Sequence, residues 1–227
     1  DPVGDLAAKA APGLLHKYAG RVLLVTTGTC AVNCRYCFRR HFPYADENAS
    51  RAGFAPALTA IRADPSIHEV ILSGGDPLTL SPRRLSALFE SLGAIPHLRR
   101  VRIHTRLPIV LPERIDREFL AAWSAVPLQK TCVVHANHAR EIDASVRTAI
   151  AALRAADTTV LNQAVLLRGV NDDAGELVEL SETLFAAGVL PYYLHLLDRV
   201  TGAAHFDVPA ATAQRLVADV ATHLPGY

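Results

Sequence analysis

Short apolar runs rich in β-branched residues recur along this chain, and each is followed by a longer stretch with helical periodicity. This alternation is typical of βα units around a parallel sheet. Six strands are predicted, at residues 21–27, 69–73, 100–106, 130–136, 158–167 and 190–197. Helices are predicted at 82–92, 112–125, 144–156, 175–187 and 209–224. Because eight βα units close a full barrel, six indicate an α/β fold with a partial, open TIM-type (β/α)6 barrel.

Length and composition place the chain among globular proteins with a substantial core. It has 227 residues, half of them apolar, and a formal net charge of +1. No basic face for nucleic acid is indicated, and the apolar runs are too short to cross a bilayer. We therefore expect neither nucleic acid nor a membrane as a partner. An N-terminal segment at 1–20 is expected to precede the barrel at 21–227.

The strongest chemical signal is the spacing of three cysteines, Cys30, Cys34 and Cys37, directly after the first predicted strand. Thiolates are the usual ligands of iron–sulfur clusters, and three of them leave one iron of a four-iron cluster open to a small molecule. A structural zinc site needs four ligands, and no second Cys or His pair follows at suitable spacing. A non-enzymatic zinc-binding module is therefore the weaker alternative.

Disulfide bonds fit the cysteines less well than a metal site. The chain has four cysteines, and three of them crowd into one loop. The fourth, Cys132, lies in an apolar run and is expected in the core. Clustered reduced thiols indicate a cytoplasmic protein.

Polar residues follow the predicted strands at the end where a barrel of this kind carries its functional groups. After the second strand, Gly74 and Gly75 allow a ligand to approach the backbone closely, although Gly-Gly-Asp-Pro is also an ordinary turn sequence. Arg39 follows the cysteines and suits a substrate carboxylate, with solvated surface arginine as the alternative. Asp198 ends the last strand and suits a cationic amine, or it caps the next segment.

Other polar residues leave two interpretations open. Lys17 and Arg21 flank the start of the first predicted strand and could hold a phosphate, although basic residues there are more often solvated. Four side chains at strand ends would be costly to bury unpaired, so each predicts a ligand contact or a local hydrogen-bond network. These are His135, His138, Asn162 and Gln163.

The C-x3-C-x2-C spacing, the Gly-Gly-Asp after the second strand and the six βα units together resemble the radical S-adenosylmethionine (radical SAM) enzymes. In that superfamily the open iron binds S-adenosylmethionine, and an electron from the cluster cleaves it to a 5′-deoxyadenosyl radical. Segments 16–21, 37–42, 73–78, 162–172 and 191–193 resemble the lysine 2,3-aminomutase family. Segments 37–44 and 202–206 resemble the branch that makes (R)-β-lysine for modification of translation elongation factor P.

The resemblance implies a role for each matched position. The cluster ligands would be Cys30, Cys34 and Cys37, and the loop along the methionine part of S-adenosylmethionine would be Gly74, Gly75 and Asp76. Arg39 would bind the lysine carboxylate, and Asp198 an amino group of lysine. Lys17 and Arg21 match contacts to the phosphate of pyridoxal 5′-phosphate, while His135 and Gln163 match positions lining the adenosyl and cofactor region.

The function implied is an isomerase: a radical SAM aminomutase that converts L-lysine to β-lysine by 2,3-amino migration, for post-translational modification of elongation factor P. The family's pyridoxal-binding lysine would lie beyond Tyr227, and no residue here matches it. Radical SAM chemistry without pyridoxal phosphate is therefore a second alternative. The implied partners are L-lysine and an electron-donor protein such as a flavodoxin or ferredoxin, and a homo-oligomer stays open.

Overall fold

The computed structural model describes residues 4–44, 48–49 and 53–226. Within them, eight strands form one sheet in chain order. The strands are β1 (Lys9–Ala11), β2 (Leu14–Tyr18), β3 (Arg21–Thr27), β4 (Glu69–Gly74), β5 (Arg100–Thr105), β6 (Gln129–Val134), β7 (Thr158–Val165) and β8 (Leu190–His195). The six strands from β3 to β8 pair in parallel, which confirms the predicted α/β partial barrel. The sheet is open, with β1 and β8 as its edges.

Two elements near the N-terminal side were not predicted. The β1–β2 hairpin pairs antiparallel with β3 and so extends the parallel sheet at one edge. A helix, α1 (Ala55–Ala63), lies between β3 and β4. The predicted boundary at residue 20 falls at Gly20, in the turn between β2 and β3, and the division into a segment and a barrel stays a prediction.

The remaining helices follow their strands, and all of them but one four-residue helix correspond to predicted helices. They are α2 (Pro82–Gly93), α3 (Leu107–Val110), α4 (Arg117–Ser124), α5 (Ala144–Ala155), α6 (Ala174–Ala186) and α7 (Ala210–His223). The predicted start of a helix at residue 112 was wrong, because Asp116 accepts a hydrogen bond from the Phe119 amide at 2.7 Å and caps α4 there. A short 3-10 turn, Pro112–Arg114, precedes that cap. No helix among the described residues is long and apolar enough to span a bilayer.

Alternation along the strands separates an apolar layer from a polar one. In β5, Val101 and Ile103 are buried in the hydrophobic core, whereas Arg102 and His104 lie on the opposite face of the strand. Cys132 of β6 is buried in the same core, as predicted. The packed apolar layer fixes the strands, and their other face carries polar side chains in the barrel interior.

Candidate active site

The cysteine loop leaves the carboxyl end of β3. Cys30, Cys34 and Cys37 are free and half-buried. The Cys37 amide donates to the Cys34 carbonyl at 3.2 Å, and the Arg40 amide donates to the Cys37 carbonyl at 3.3 Å, so the loop folds into successive turns. Among the described residues, no three His, Cys, Asp or Glu side chains lie together as ligands of one metal ion. A four-iron cluster spreads its thiolates over separate iron atoms and does not need that convergence.

The thiols lie in surroundings that suit a cluster. Burial raises the pKa of Cys30 to about 11, with Asp76 and the other two cysteines adding to the shift. Burial also raises the pKa of Cys37. Half-buried thiols of this kind become thiolates when a metal binds them, and three thiolates in one short loop are the donor set of an iron–sulfur cluster. The residues present therefore fit the group.

The glycine loop after β4 is joined by backbone hydrogen bonds to the end of β3 and to the start of the cysteine loop. The Gly75 amide donates to the Thr27 carbonyl at 2.6 Å, and the Asp76 amide donates to the Thr29 carbonyl at 2.8 Å. The Tyr44 hydroxyl donates to the Gly74 carbonyl at 2.8 Å. The two predicted cofactor loops are therefore in direct contact.

Both glycines are required by this contact. Gly74 has φ +121°, which side chains rarely adopt, and a Cβ there would lie 2.5 Å from the Thr27 carbonyl oxygen. A Cβ on Gly75 would collide with the carbonyl oxygen of Thr29. The glycines thus let the backbone of β4 approach that of the cysteine loop.

The Asp76 carboxylate joins the glycine loop to the end of β5. It accepts hydrogen bonds from Thr105 Oγ1 at 2.6 Å, from the Arg106 amide at 2.7 Å and from the Leu78 amide at 3.1 Å. Burial raises its pKa, although these donors favour the charged form. Asp76 therefore positions the glycine loop, and its contact with a cofactor stays a prediction.

Arg39 is buried behind the cysteine loop and carries its charge in an ion pair. Its Nε donates to Asp5 Oδ2 at 3.1 Å, and its Nη1 donates to Ser73 Oγ at 2.9 Å. The Lys17 ammonium lies 2.6 Å from the other oxygen of Asp5. Arg39 is predicted to bind the substrate carboxylate, and Lys17 is predicted to bind the cofactor phosphate. The structure brings both side chains to the carboxylate of Asp5. Arg21 lies instead over the ring of Tyr18, at 4.8 Å.

Asp5 is a residue that sequence reasoning missed. It is only 4% exposed. Burial on its own would raise its pKa, but Lys17 and Arg39 outweigh that effect, so the pKa is lowered. No local signal marks it, because its partners lie 12 and 34 positions away along the chain.

Two imidazoles face each other in the barrel interior. The rings of His104 and His135 are 6.2 Å apart in an edge-to-face arrangement. The Nε2 atoms of both are buried without a hydrogen-bond partner among the described residues. Burial lowers the pKa of His135 to about 3, with Arg106 and His195 adding to the shift, and burial also lowers the pKa of His104. These are neutral imidazoles whose unpaired nitrogens favour a ligand contact.

Asn162 and His138 make local hydrogen bonds, which favours the interpretation as a hydrogen-bond network over the interpretation as a ligand contact. Asn162 accepts from the Ala136 amide at 2.8 Å and donates to the Ala136 carbonyl at 3.0 Å. His138 Nδ1 accepts from the Arg140 amide at 3.1 Å, and its Nε2 lies 2.8 Å from Glu176. Both side chains therefore hold the backbone beyond β6 in place.

Gln163 and Asp198 complete the predicted set. Gln163 lies in β7 opposite Tyr193 of β8 and is half-buried. Asp198 follows β8 and is also half-buried. Burial lowers the pKa of His195, and the charge of Asp198 opposes that shift, so these two groups are near each other. No contact among the described residues joins Asp198 to Arg39.

Comparison with known proteins agrees with this geometry. Residues 24–181 match the model of the radical SAM superfamily. The L-lysine 2,3-aminomutase of Escherichia coli K12 is 51% identical over 216 residues, which cover 95% of this chain and 63% of that protein. The chain belongs to the radical SAM superfamily and, within it, to the lysine 2,3-aminomutase family. The enzyme of the same name from Haemophilus influenzae is 48% identical over 227 residues, which cover 100% of this chain and 67% of that protein.

More distant relatives and solved structures agree on family and fold. The L-lysine 2,3-aminomutase of Clostridium subterminale is 36% identical over 231 residues, covering 100% of this chain and 55% of that protein. Native anSMEcpe with bound AdoMet and Kp18Cys peptide superposes with a TM-score of 0.67 at 10% identity, over 88% of this chain and 58% of that one. A radical SAM methyltransferase from Sphaerobacter thermophilus superposes with a TM-score of 0.59 at 18% identity, over 92% of this chain and 65% of that one. The two structures show the same fold.

The proteins of this family have characteristic cofactors. A radical SAM protein carries a [4Fe–4S] cluster and S-adenosylmethionine, and lysine 2,3-aminomutases also depend on pyridoxal 5′-phosphate. The chain spans between about half and two thirds of the length of these curated relatives.

Proposed function

We propose that this chain is the barrel of a radical SAM aminomutase that converts L-lysine to β-lysine by moving the amino group from C2 to C3. The observation that carries the proposal is the backbone contact between the cysteine loop and the glycine loop, in which the Asp76 amide donates to the Thr29 carbonyl. This contact supports a cluster with an open iron beside a backbone surface suited to a small ligand. The name shared by the curated relatives supplies the substrate.

In this proposal Cys30, Cys34 and Cys37 hold the [4Fe–4S] cluster, and Gly74 to Asp76 lie along S-adenosylmethionine. When bound, the two groups supply a carbon radical that takes a hydrogen atom from the substrate. His135 and Gln163 contact the adenosyl region. The buried, unpartnered Nε2 of His135 supports its part, because a ligand would satisfy it.

Arg39 binds the lysine carboxylate, and Asp198 binds a lysine amino group. Arg39 has a planar guanidinium held on two sides, by Asp5 and Ser73, which preorganises it for a second anion. Asp198 favours a substrate with a cationic side chain over an acidic one, because a like charge would be repelled there. Together they select an amino acid with a positive end.

Lys17 and Arg21 supply positive charge for the phosphate of pyridoxal 5′-phosphate. Lys17 shares the Asp5 carboxylate with Arg39, so the proposed phosphate contact lies beside the proposed contact to the lysine carboxylate. Pyridoxal phosphate, when bound, supplies the conjugated system through which the amino nitrogen moves.

The product β-lysine would serve the post-translational modification of elongation factor P. We assign the protein to the cytoplasm, because reduced thiols and a cluster persist there. An electron-donor protein, such as a flavodoxin or ferredoxin, would reduce the cluster. A homo-oligomer is compatible with the exposed edge strand β8, whose Tyr193 and Leu194 face solvent.

The test is a product assay on the full-length protein. It is reconstituted anaerobically with iron and sulfide and given L-lysine, S-adenosylmethionine, pyridoxal phosphate and dithionite. Chiral chromatography should detect β-lysine, and Arg39→Lys, which keeps the charge but loses the paired hydrogen bonds, should reduce its formation about tenfold or more. No β-lysine from a protein with an intact cluster would contradict the proposal. β-Lysine formed equally without pyridoxal phosphate would favour the alternative that lacks this cofactor.

A further inference from the structure

Arg106, directly after β5, contacts the sulfur of one predicted cluster ligand. Its Nη1 lies 3.1 Å from Cys34 Sγ. Its Nη2 donates to Glu141 Oε2 at 2.9 Å. A guanidinium therefore lies between a carboxylate and a cysteine sulfur, and it keeps its positive charge at any physiological pH.

Several contacts hold this guanidinium against the sulfur. Glu141 is fixed by its other oxygen, which accepts from the Asn137 amide at 2.7 Å and the His138 amide at 3.1 Å. The Arg106 amide is itself bound to Asp76 at 2.7 Å. Arg106 is therefore anchored at its backbone and at one edge of its side chain, and the remaining edge faces Cys34.

The cysteine loop is tied to the same network from its own side. Tyr36 lies between Cys34 and Cys37 in the sequence, and Asn137 Nδ2 donates to its hydroxyl. The Arg106 guanidinium lies 6.0 Å from the centre of the Tyr36 ring. The loop and Arg106 are thus held to one another through β6 and the segment after it.

Two arginines within the cysteine loop itself, Arg35 and Arg40, have different contacts. Arg35, next to Cys34 in the sequence, is exposed and lies 3.2 Å from His205 and 5.1 Å from the centre of the Phe206 ring. Arg40 binds the Thr201 carbonyl. Among the described residues, the guanidinium–sulfur contact belongs to Arg106.

A cationic donor at a ligand sulfur changes the electron affinity of a cluster. Reduction adds negative charge, part of which resides on the ligand sulfurs, and a nearby positive hydrogen-bond donor stabilises that added charge. The effect is larger in a half-buried site than in water, because solvent screens it less. Arg106 is 20% exposed, so its charge is only partly screened.

We propose that Arg106 is a positioning residue that raises the reduction potential of the cluster by donating to Cys34. The proposal rests on the cluster of the proposed function, but not on lysine as the substrate or on pyridoxal phosphate as a cofactor. Its role is to make the first electron transfer into the cluster easier. It acts through the sulfur ligand and does not touch the substrate.

The test is a redox titration, followed by electron paramagnetic resonance, of the anaerobically reconstituted protein and three variants. In Arg106→Gln the midpoint potential of the cluster should become more negative. A shift of about 59 mV corresponds to a tenfold fall in the ratio of reduced to oxidised cluster at a fixed applied potential. Arg106→Lys keeps the positive charge but loses the planar, two-pronged guanidinium, so its midpoint potential should be lowered by less than that of Arg106→Gln. Arg35→Gln removes one exposed charge beside Cys34 and should shift the potential least.

An Arg106→Gln potential equal to that of the wild type, or a shift no larger than in Arg35→Gln, would overturn the proposal. If Arg106→Gln fails to assemble a cluster, Arg106→Lys decides: a lowered potential supports the proposal and an unchanged one contradicts it. A wild-type protein that binds no cluster overturns the proposed function as well, which distinguishes the two failures.

Discussion

Asp5 accepts a hydrogen bond from Arg39 at 3.1 Å, and both side chains are almost completely buried. A buried guanidinium requires a counter-charge, because an unpaired charge in a dry site is costly. Asp5 supplies it, and its other oxygen pairs with Lys17. The Asp5 carboxylate thus orients two side chains. In the proposed function, Arg39 binds the lysine carboxylate and Lys17 binds the cofactor phosphate.

Replacing Asp5 should weaken substrate binding more than turnover. In Asp5→Asn, Arg39 loses its charged partner and its fixed orientation, so the KM for L-lysine in the full-length enzyme should rise about tenfold, the equivalent of about 1.4 kcal/mol. Steady-state kinetics measure this change. Asp64→Asn is the matched control, since Asp64 is bound to Ser66 in an exposed turn. Equal KM values in wild type and Asp5→Asn would count against the role of Asp5.

Removing Asp5 should also make the fold less stable at neutral pH. Breaking a buried ion pair on one side costs about 3 kcal/mol. Because the pKa of Asp5 is lowered in the folded protein, its contribution is present above the unfolded value of about 3.9 and is lost as pH falls through the folded pKa. Urea unfolding of wild type and Asp5→Asn should therefore show a difference at pH 7 that shrinks below about pH 4. A difference that does not change with pH would contradict this prediction.

His135 should make the fold sensitive to mild acid. Its pKa is about 3 in the folded protein, against about 6.5 in an unfolded chain. As pH falls below about 6.5, the unfolded chain takes up a proton that the folded protein does not, so the free energy of unfolding decreases, by up to about 1.4 kcal/mol per pH unit. His135→Gln should flatten this slope between pH 6.5 and 5. Parallel stability curves for the two proteins would show that His135 is not held neutral.

A side chain at Gly75 should separate the two cofactor loops. The Cβ of Gly75→Ala would collide with the Thr29 carbonyl, so the variant should bind S-adenosylmethionine at least about tenfold more weakly, as measured by calorimetry on the reconstituted protein. Gly226→Ala, where no atom lies near the added Cβ, is the control. Unchanged affinity in Gly75→Ala would show that the loop contact is not needed for binding.

The sequence pattern predicted the barrel well because the signal is local. Short apolar runs rich in β-branched residues placed β3 at its observed bounds and the other five parallel strands close to theirs. The start of α4 was placed too early because Pro112 reads as a first helical residue, whereas the cap is made by Asp116. The short hairpin strands β1 and β2 have too few residues for a periodic pattern.

The parts of the site that could not be predicted depend on long-range contacts. Asp5 and Arg39 are 34 positions apart, and Arg106 and Cys34 are 72 positions apart. Only the folded sheet brings the ends of β3, β4 and β5 together. His104 had a usable signal, since it lies in the polar segment that ends the third predicted strand, but its neutral form follows from burial that the sequence does not reveal.

The most direct measurement is electron paramagnetic resonance of the anaerobically reconstituted and reduced protein, with and without S-adenosylmethionine, alongside metal analysis. A cluster held by Cys30, Cys34 and Cys37 predicts about four irons per chain and a spectrum that changes when S-adenosylmethionine binds the open iron. Cys30→Ala should abolish the signal, and Cys132→Ala, which alters only the core, should retain it. One zinc and no iron, or a cluster spectrum indifferent to S-adenosylmethionine, would contradict the assignment.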